Sequence, residues 1–308
     1  MKKLIYLDHA ATTPLDPEVK KAMEPFWSEN FGNPSSIYHA GIKAKEALSQ
    51  ARGKIAKILG AKSSEIVFTA GGTESANLAI LGLSRARGKN LKKPGHIITT
   101  EIEHPAVLNA VRALEKEGFA VSILPVDKYG LVGLEEIKKA IKPETFLISV
   151  MYANNEIGTI EPIAEIGKLL KKTNQERNAE GLSLIYFHTD ACQAAGYLDL
   201  NVDKLGVDLL TLNGSKIYGP KGSAILYIRN GISLKPLIFG GGQENGLRSG
   251  TENVPADIGL AKALELVQKN KNQESRRLNK LSQKLTNGIL KTISKTFLNG
   301  HPQKKLPN

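Results

Sequence analysis

Glu65-Ile66-Val67-Phe68-Thr69-Ala70-Gly71-Gly72-Thr73-Glu74-Ser75-Ala76-Asn77 opens with a short apolar run, turns on two glycines and enters a helical pattern that continues to Arg87. A strand that turns straight into a helix is the repeating unit of an α/β sheet. The unit recurs downstream. His96 to Thr100, Ala120 to Pro125, Phe146 to Met151, Leu184 to His188, Val207 to Leu212 and Ala224 to Ile228 read as strands. Ala106 to Glu117, Gly133 to Ile141 and Ile163 to Gln175 read as the helices between them. Upstream, Pro17 to Trp27 predicts a short helix and Ile42 to Leu59 a longer one. Short apolar strands alternating with amphipathic helices predict a mostly parallel sheet covered on both faces.

Residues 16–254 therefore read as one large α/β domain, preceded by an N-terminal segment, 1–15, that packs with a smaller domain. From Pro255 the character changes to a Lys/Asn-rich helical stretch with Leu278, Leu281, Leu285 and Ile289 on one stripe, the start of that smaller domain over 255–308. Only Thr296 to Leu298 resembles a further strand there, so the small α/β domain reads as incomplete and its stripe has little to pack against.

Composition excludes several classes. With 41% hydrophobic and 23% charged residues the chain can build a core and is not a disordered polymer. No run approaches the roughly 20 apolar residues of a membrane helix, and Asp8 arrives too early for a signal peptide, so a cytoplasmic, membrane-free protein is expected. One cysteine, Cys192, rules out an internal disulfide, and the six histidines are too scattered for a metal site. The net charge of +12 is spread over stretches such as Lys168, Lys171, Lys172 and Lys269, Lys271, Arg276, Arg277 without interleaved aromatics. Solvated helix faces explain it, and no direct nucleic-acid contact is expected.

In such sheets ligands bind beyond the carboxyl ends of the strands. After Thr69, small residues and the Thr73 hydroxyl sit where free N–H groups and the helix dipole favour an anion; an ordinary turn capped by Thr73 would look the same. After Thr100 comes Glu103-His104-Pro105, an imidazole at a strand end. After His188 comes Thr189-Asp190-Ala191-Cys192-Gln193, an acid closing an apolar strand; it must be paired or hydrogen-bonded to stay ionised, or else caps the next helix. After Leu212 comes Asn213-Gly214-Ser215-Lys216-Ile217-Tyr218-Gly219-Pro220-Lys221-Gly222, in which Lys216 lies on the ligand side and Lys221 in the turn toward the next strand. An amine, a carboxylate, an imidazole and an anion-holding turn are the parts of a pyridoxal 5′-phosphate (PLP) site. Gly240-Gly241-Gly242-Gln243-Glu244-Asn245-Gly246 lacks the spacing and the following helix of a dinucleotide site.

Taken with Tyr6-Leu7-Asp8-His9-Ala10-Ala11-Thr12-Thr13-Pro14, Gly32-Asn33-Pro34-Ser35-Ser36, Asn154-Asn155-Glu156-Ile157-Gly158 and Arg248-Ser249-Gly250-Thr251, these segments resemble the cysteine desulfurases of the NifS/IscS group. These are class-V aminotransferase-like enzymes of PLP fold-type I. The resemblance implies a large domain with a mostly parallel seven-stranded sheet flanked by helices. It also implies conversion of L-cysteine to L-alanine with the sulfur leaving as a persulfide. Lys216 would hold PLP, Asp190 would pair with the ring nitrogen, Gln193 would bond the ring oxygen and His104 would stack on the ring and shuttle protons. Gly72, Thr73, Asn213 and Ser215 would form the phosphate cup, Asn155 would bind the substrate carboxylate, and Thr251 would reach the phosphate of the other subunit of a homodimer. The sulfur acceptor would be an iron–sulfur scaffold or a tRNA thiolation protein.

The chain departs from the family in two respects. Ser215 and Asn213 stand where the family usually has histidine and serine; both still hydrogen-bond a phosphate. The family's nucleophilic cysteine and a substrate-binding arginine belong to the part of the small domain beyond Asn308, so a C-terminally truncated chain is expected. Cys192, beside Asp190, reads as a packing residue rather than a substitute nucleophile. Alternatives are a selenocysteine lyase, another class-V PLP lyase, or a short form that binds without catalysis.

Overall fold

Seven strands form among the described residues: β1 (Ile66–Thr69), β2 (His96–Thr100), β3 (Ala120–Leu124), β4 (Thr145–Ser149), β5 (Tyr186–Asp190), β6 (Leu209–Asn213) and β7 (Ala224–Ile228). The structure is a computed structural model that describes residues 5–88 and 94–308; residues 1–4 of the expected N-terminal segment lie outside the described residues. The sheet order is β1-β7-β6-β5-β4-β2-β3. β2 to β6 pair in parallel, and β7 alone runs antiparallel to its neighbours β1 and β6. Parallel neighbours need a crossover, which the intervening helices supply, whereas no α-helix separates β6 from β7, so the chain turns straight back.

Side chains alternate across this sheet. Ile98, Ile148, Phe187, Leu210 and Leu212 face one side, where they meet Ile55, Leu59, Ile166, Leu170, Leu260 and Leu264. Ile97, Leu147, Leu209 and Leu226 face the other, against Ile80, Leu83, Val107, Val111 and Leu114. The near-continuous apolar strands of the sequence are thus buried on both faces, as the pattern predicts. At roughly 25 cal/mol per Å² of apolar surface removed from water, these two layers are the main source of stability.

Several expectations change in detail. The helix expected over 17–27 is two pieces, Pro17–Met23 and Pro25–Ser28, because Pro25 has no N–H to continue the first. The helix after β1 contains a π-helical stretch, Leu78–Gly82, between Gly72–Asn77 and Leu83–Gly88. β5 ends at Asp190 rather than at His188, which puts the acid on the strand itself. Thr296 to Leu298 forms no strand: Phe297 is 87% exposed and has no sheet edge to join. Beyond it, Lys305 bridges to Thr159 and Leu306 is buried in the first core layer.

The helix Val254–Thr292 begins at the expected boundary, capped by Asn253. Its first turns, Val254 to Leu264, are buried with the helix His39–Leu59 in the first core layer. Further along, Leu281 and Leu285 are 52% and 66% exposed, so the apolar stripe is uncovered among the described residues.

Candidate active site

The carboxyl ends of β1, β2, β4, β5 and β6 open into one cavity of about 980 Å³. Lys216 and Asp190, far apart in sequence, both line it. β5 delivers Asp190 as its last residue, and the loop after β6 delivers Lys216 through a single 3-10 turn, Gly214–Lys216. Because the two strands are adjacent and parallel, their carboxyl ends emerge side by side. The other expected residues arrive the same way. His104 and Asn155 follow β2 and β4; Gly72 and Thr73 follow β1; Gln193, Asn213 and Ser215 lie beside Asp190 and Lys216. Thr251 is exposed and is not among the residues that line this cavity.

Each wall has a distinct chemistry. At the N-terminus of the helical run 72–88, the Ser75 N–H is the first to find a backbone carbonyl, that of Gly71, so the preceding N–H groups remain for a ligand. A Cβ added at Gly72 would lie 3.0 Å from the Cys192 sulfur and 3.1 Å from Asn213 Nδ2, so only glycine leaves this cradle open. His104 is the N-cap of the helix Pro105–Lys116: its Nδ1 accepts the Ala106 N–H at 3.1 Å. The neutral ring therefore carries its proton on Nε2. Asp190 is 8% exposed, and its Oδ1 accepts the Cys192 N–H at 2.9 Å. Its other oxygen remains available on the cavity side.

Cys192 is buried against Asp190, and burial followed by the neighbouring carboxylate pushes its thiol well above the ordinary thiol range. A thiol held protonated is a poor nucleophile. Lys216 Nζ donates to the carbonyl oxygens of Ala10, at 2.8 Å, and Ala11. Gln193 Nε2 donates to the same Ala10 oxygen at 2.9 Å.

Two features escaped the sequence reading. The backbone of Ala10 and Ala11 reaches the reactive amine, but a carbonyl carries no side-chain signature. Glu103, next to His104, is 4% exposed; its Oε1 accepts from Thr100 Oγ1 at 2.8 Å and from the Met151 N–H at 2.7 Å. Its Oε2 has no partner among the described residues. Burial pushes this carboxyl up to about 8, so it is protonated at neutral pH. The sequence carries an acid at this strand end, but its burial and its unpaired oxygen depend on the fold.

The family profile for class-V aminotransferases matches residues 5–308. The chain belongs to this family. Cysteine desulfurase IscS of Dictyoglomus turgidum is 51% identical over 308 residues, which is 100% of this chain and 75% of that protein. Among solved structures, a NifS-like protein superposes with a TM-score of 0.93 at 40% identity, over 99% of this chain and 80% of its own. A structure titled SspA in complex with cysteine superposes with a TM-score of 0.79 at 45% identity, over 85% of this chain and 72% of its own. Class-V aminotransferases of this branch are PLP enzymes of fold-type I, and the seven-stranded sheet agrees with that.

The residues present fit this cofactor. A primary amine, a carboxylate with a free oxygen, an imidazole and a glycine cradle flanked by free N–H groups share one cavity. Ser215 and Asn213 put two polar side chains at the cradle, with Ser215 Oγ donating to Asn213 Oδ1 at 3.4 Å.

Proposed function

We propose that this chain converts L-cysteine to L-alanine with PLP as cofactor, transferring the sulfur to a thiol. The observation that carries this reading is the convergence of Lys216 and Asp190 on one cavity beside the N-terminal end of the helix after β1. PLP supplies an electron sink for the carbanion at the substrate Cα. Lys216 would hold the cofactor through its Nζ, and the same Nζ would take the Cα proton of the substrate. Asp190 would pair with the ring nitrogen and favour its protonated form, which strengthens that sink. Gln193 would bond the ring oxygen, and His104 would stack on the ring, its Nε2–H serving as a proton donor. Gly72, Thr73, Asn213 and Ser215 would hold the phosphate, and Asn155 would hold the substrate carboxylate.

The transfer balances as a substrate C–S bond broken and an S–S bond formed, the acceptor thiol becoming a persulfide and the carbon gaining a proton. Cys192 does not suit the acceptor role, because its thiol is buried and stays protonated. It is also the only cysteine of the 308 residues. The accepting thiol therefore comes from outside them. The sulfur then passes to an iron–sulfur scaffold or a tRNA thiolation protein in the cytoplasm.

The working form is a homodimer. Support comes from Trp27, Phe31, Ile37 and Tyr38, which are 62%, 73%, 92% and 61% exposed within a short stretch, an apolar surface that a monomer avoids. Thr251, exposed and away from its own cavity, would serve the phosphate of the partner.

The test isolates the proton step, which needs no acceptor thiol. Exchange of the L-cysteine or L-alanine α-proton for solvent deuterium is followed by NMR, together with the visible absorbance of bound PLP. Wild type binds PLP and exchanges; Lys216→Ala loses the covalent absorbance and roughly 10²–10⁴-fold in exchange rate. A Lys216→Ala protein that retains both would end the assignment.

A further inference from the structure

The N-terminal segment is fastened to the turn that carries Lys216 more tightly than its exposed position requires. Thr13 is 3% exposed although its neighbour Thr12 is partly open. Its N–H and its hydroxyl both donate to the Ser215 carbonyl oxygen, at 2.9 and 3.0 Å, and its Oγ1 accepts the Tyr218 N–H at 2.7 Å. Three residues on, the Asp16 N–H donates to the Tyr218 carbonyl at 3.0 Å. Thr13 thus closes a clamp across Ser215 and Tyr218, the residues on either side of Lys216 and Ile217. The clamp holds a strained backbone: Tyr218 has φ 61°, the left-handed region that a non-glycine residue adopts only when its surroundings enforce it.

The same segment meets the end of the lysine side chain. The Ala10 and Ala11 carbonyls receive Nζ, and Gln193 Nε2 also donates to the Ala10 carbonyl. Backbone and amine are therefore held by one strap, residues 10–13.

We infer that Thr13 is a positioning residue for Lys216, and that the carbonyls of Ala10 and Ala11 are the dock that holds its amine whenever the amine has no covalent partner. The inference rests on the reading of Lys216 as the reacting amine. During turnover that amine must leave the cofactor and stay within reach of the substrate Cα. A free lysine has four rotatable bonds and loses them at a cost, so two fixed acceptors at the cavity wall keep it from wandering. Removing the Thr13 hydroxyl loosens both the strap and the turn.

The first measurement needs no cofactor. Cofactor-free protein is treated with acetic anhydride at low dose, and the rate of Lys216 acetylation is read by peptide mass spectrometry. Thr13→Val raises that rate several-fold, and Thr13→Ser, which keeps the hydroxyl, restores it. With PLP bound, Thr13→Val lowers kcat for α-proton exchange roughly tenfold while the KM for L-alanine moves less than twofold; Thr13→Ser matches wild type. Should Thr13→Val fail to fold, the double substitution Ala10→Gly with Ala11→Gly leaves Thr13 intact, loosens the strap alone and raises acetylation in the same direction. Unchanged acetylation in a folded Thr13→Val or double-glycine protein, or a loss of denaturation midpoint with no change in labelling or kcat, overturns the inference. Failure of the wild type to bind PLP would instead overturn the function, since the labelling arm is independent of it.

Discussion

His188 and Asp190 stand two residues apart on β5 and face the same side of the sheet, yet they occupy opposite chemical situations. His188 is fully buried: Nδ1 pairs with Ser149 Oγ at 2.8 Å and Nε2 with Thr211 Oγ1 at 3.0 Å, and burial pushes the ring down to about 3. Both ring nitrogens are committed and the ring is neutral. Asp190 commits one oxygen to the Cys192 N–H and turns the rest of its carboxylate to the cavity. A buried polar group is a stabiliser when its hydrogen-bonding capacity is used up, and a site when some is left facing open volume.

Substitutions at these and neighbouring positions separate the two kinds of group. Asp190→Ala takes the carboxylate from the ring nitrogen and is expected to lower α-proton exchange on the order of 10²-fold, with PLP still bound but more weakly. An unchanged rate would place Asp190 with His188 among the structural groups. His188→Leu leaves the Ser149 and Thr211 hydroxyls without their partner and is expected to cost about 2–4 kcal/mol in chemical denaturation, while the folded fraction keeps its PLP absorbance. A stable variant that cannot bind PLP would break the contrast from the other direction.

Glu103 sharpens it further, since it is buried like His188 but has an oxygen free like Asp190. Its carboxyl titrates near 8 when folded against an ordinary 4.5. Between those values the folded state keeps a proton that the unfolded state has released, so this group's contribution to stability falls as pH rises from about 4.5 to about 8. Glu103→Gln mimics the protonated form. It should lie close to wild type in unfolding free energy near pH 5 and exceed it by about 3–4 kcal/mol at pH 9; parallel pH curves would mean that Glu103 is not held protonated. The smallest effect belongs to Cys192→Ser, expected to change exchange by less than about threefold because the thiol packs rather than reacts. A collapse of the rate would return Cys192 to the chemistry.

How legible each residue was depends on where its information resides. Lys216, Asp190 and His104 were found because strand ends follow from local apolar runs, and the α/β pattern puts strand ends on the ligand side. The break at Pro25 was equally local and could have been read from the missing N–H. By contrast, Asp190 belonging to β5 depended on Thr211 pairing across to it, a contact between separate segments. The Thr13 clamp and the Ala10 and Ala11 dock join residues about two hundred positions apart through backbone atoms. Thr296 to Leu298 failed as a strand for the same reason: propensity was present, a partner edge was not.

The sequence by itself determined the alternation of strands and helices, the fold class and the set of polar residues at the strand ends, because periodicity and turn chemistry act over a few residues. Tertiary structure decided which of those polar groups spend their hydrogen bonds on the protein and which keep some for a ligand. That division depends on the distance between atoms brought together only by folding, and on the water excluded around them.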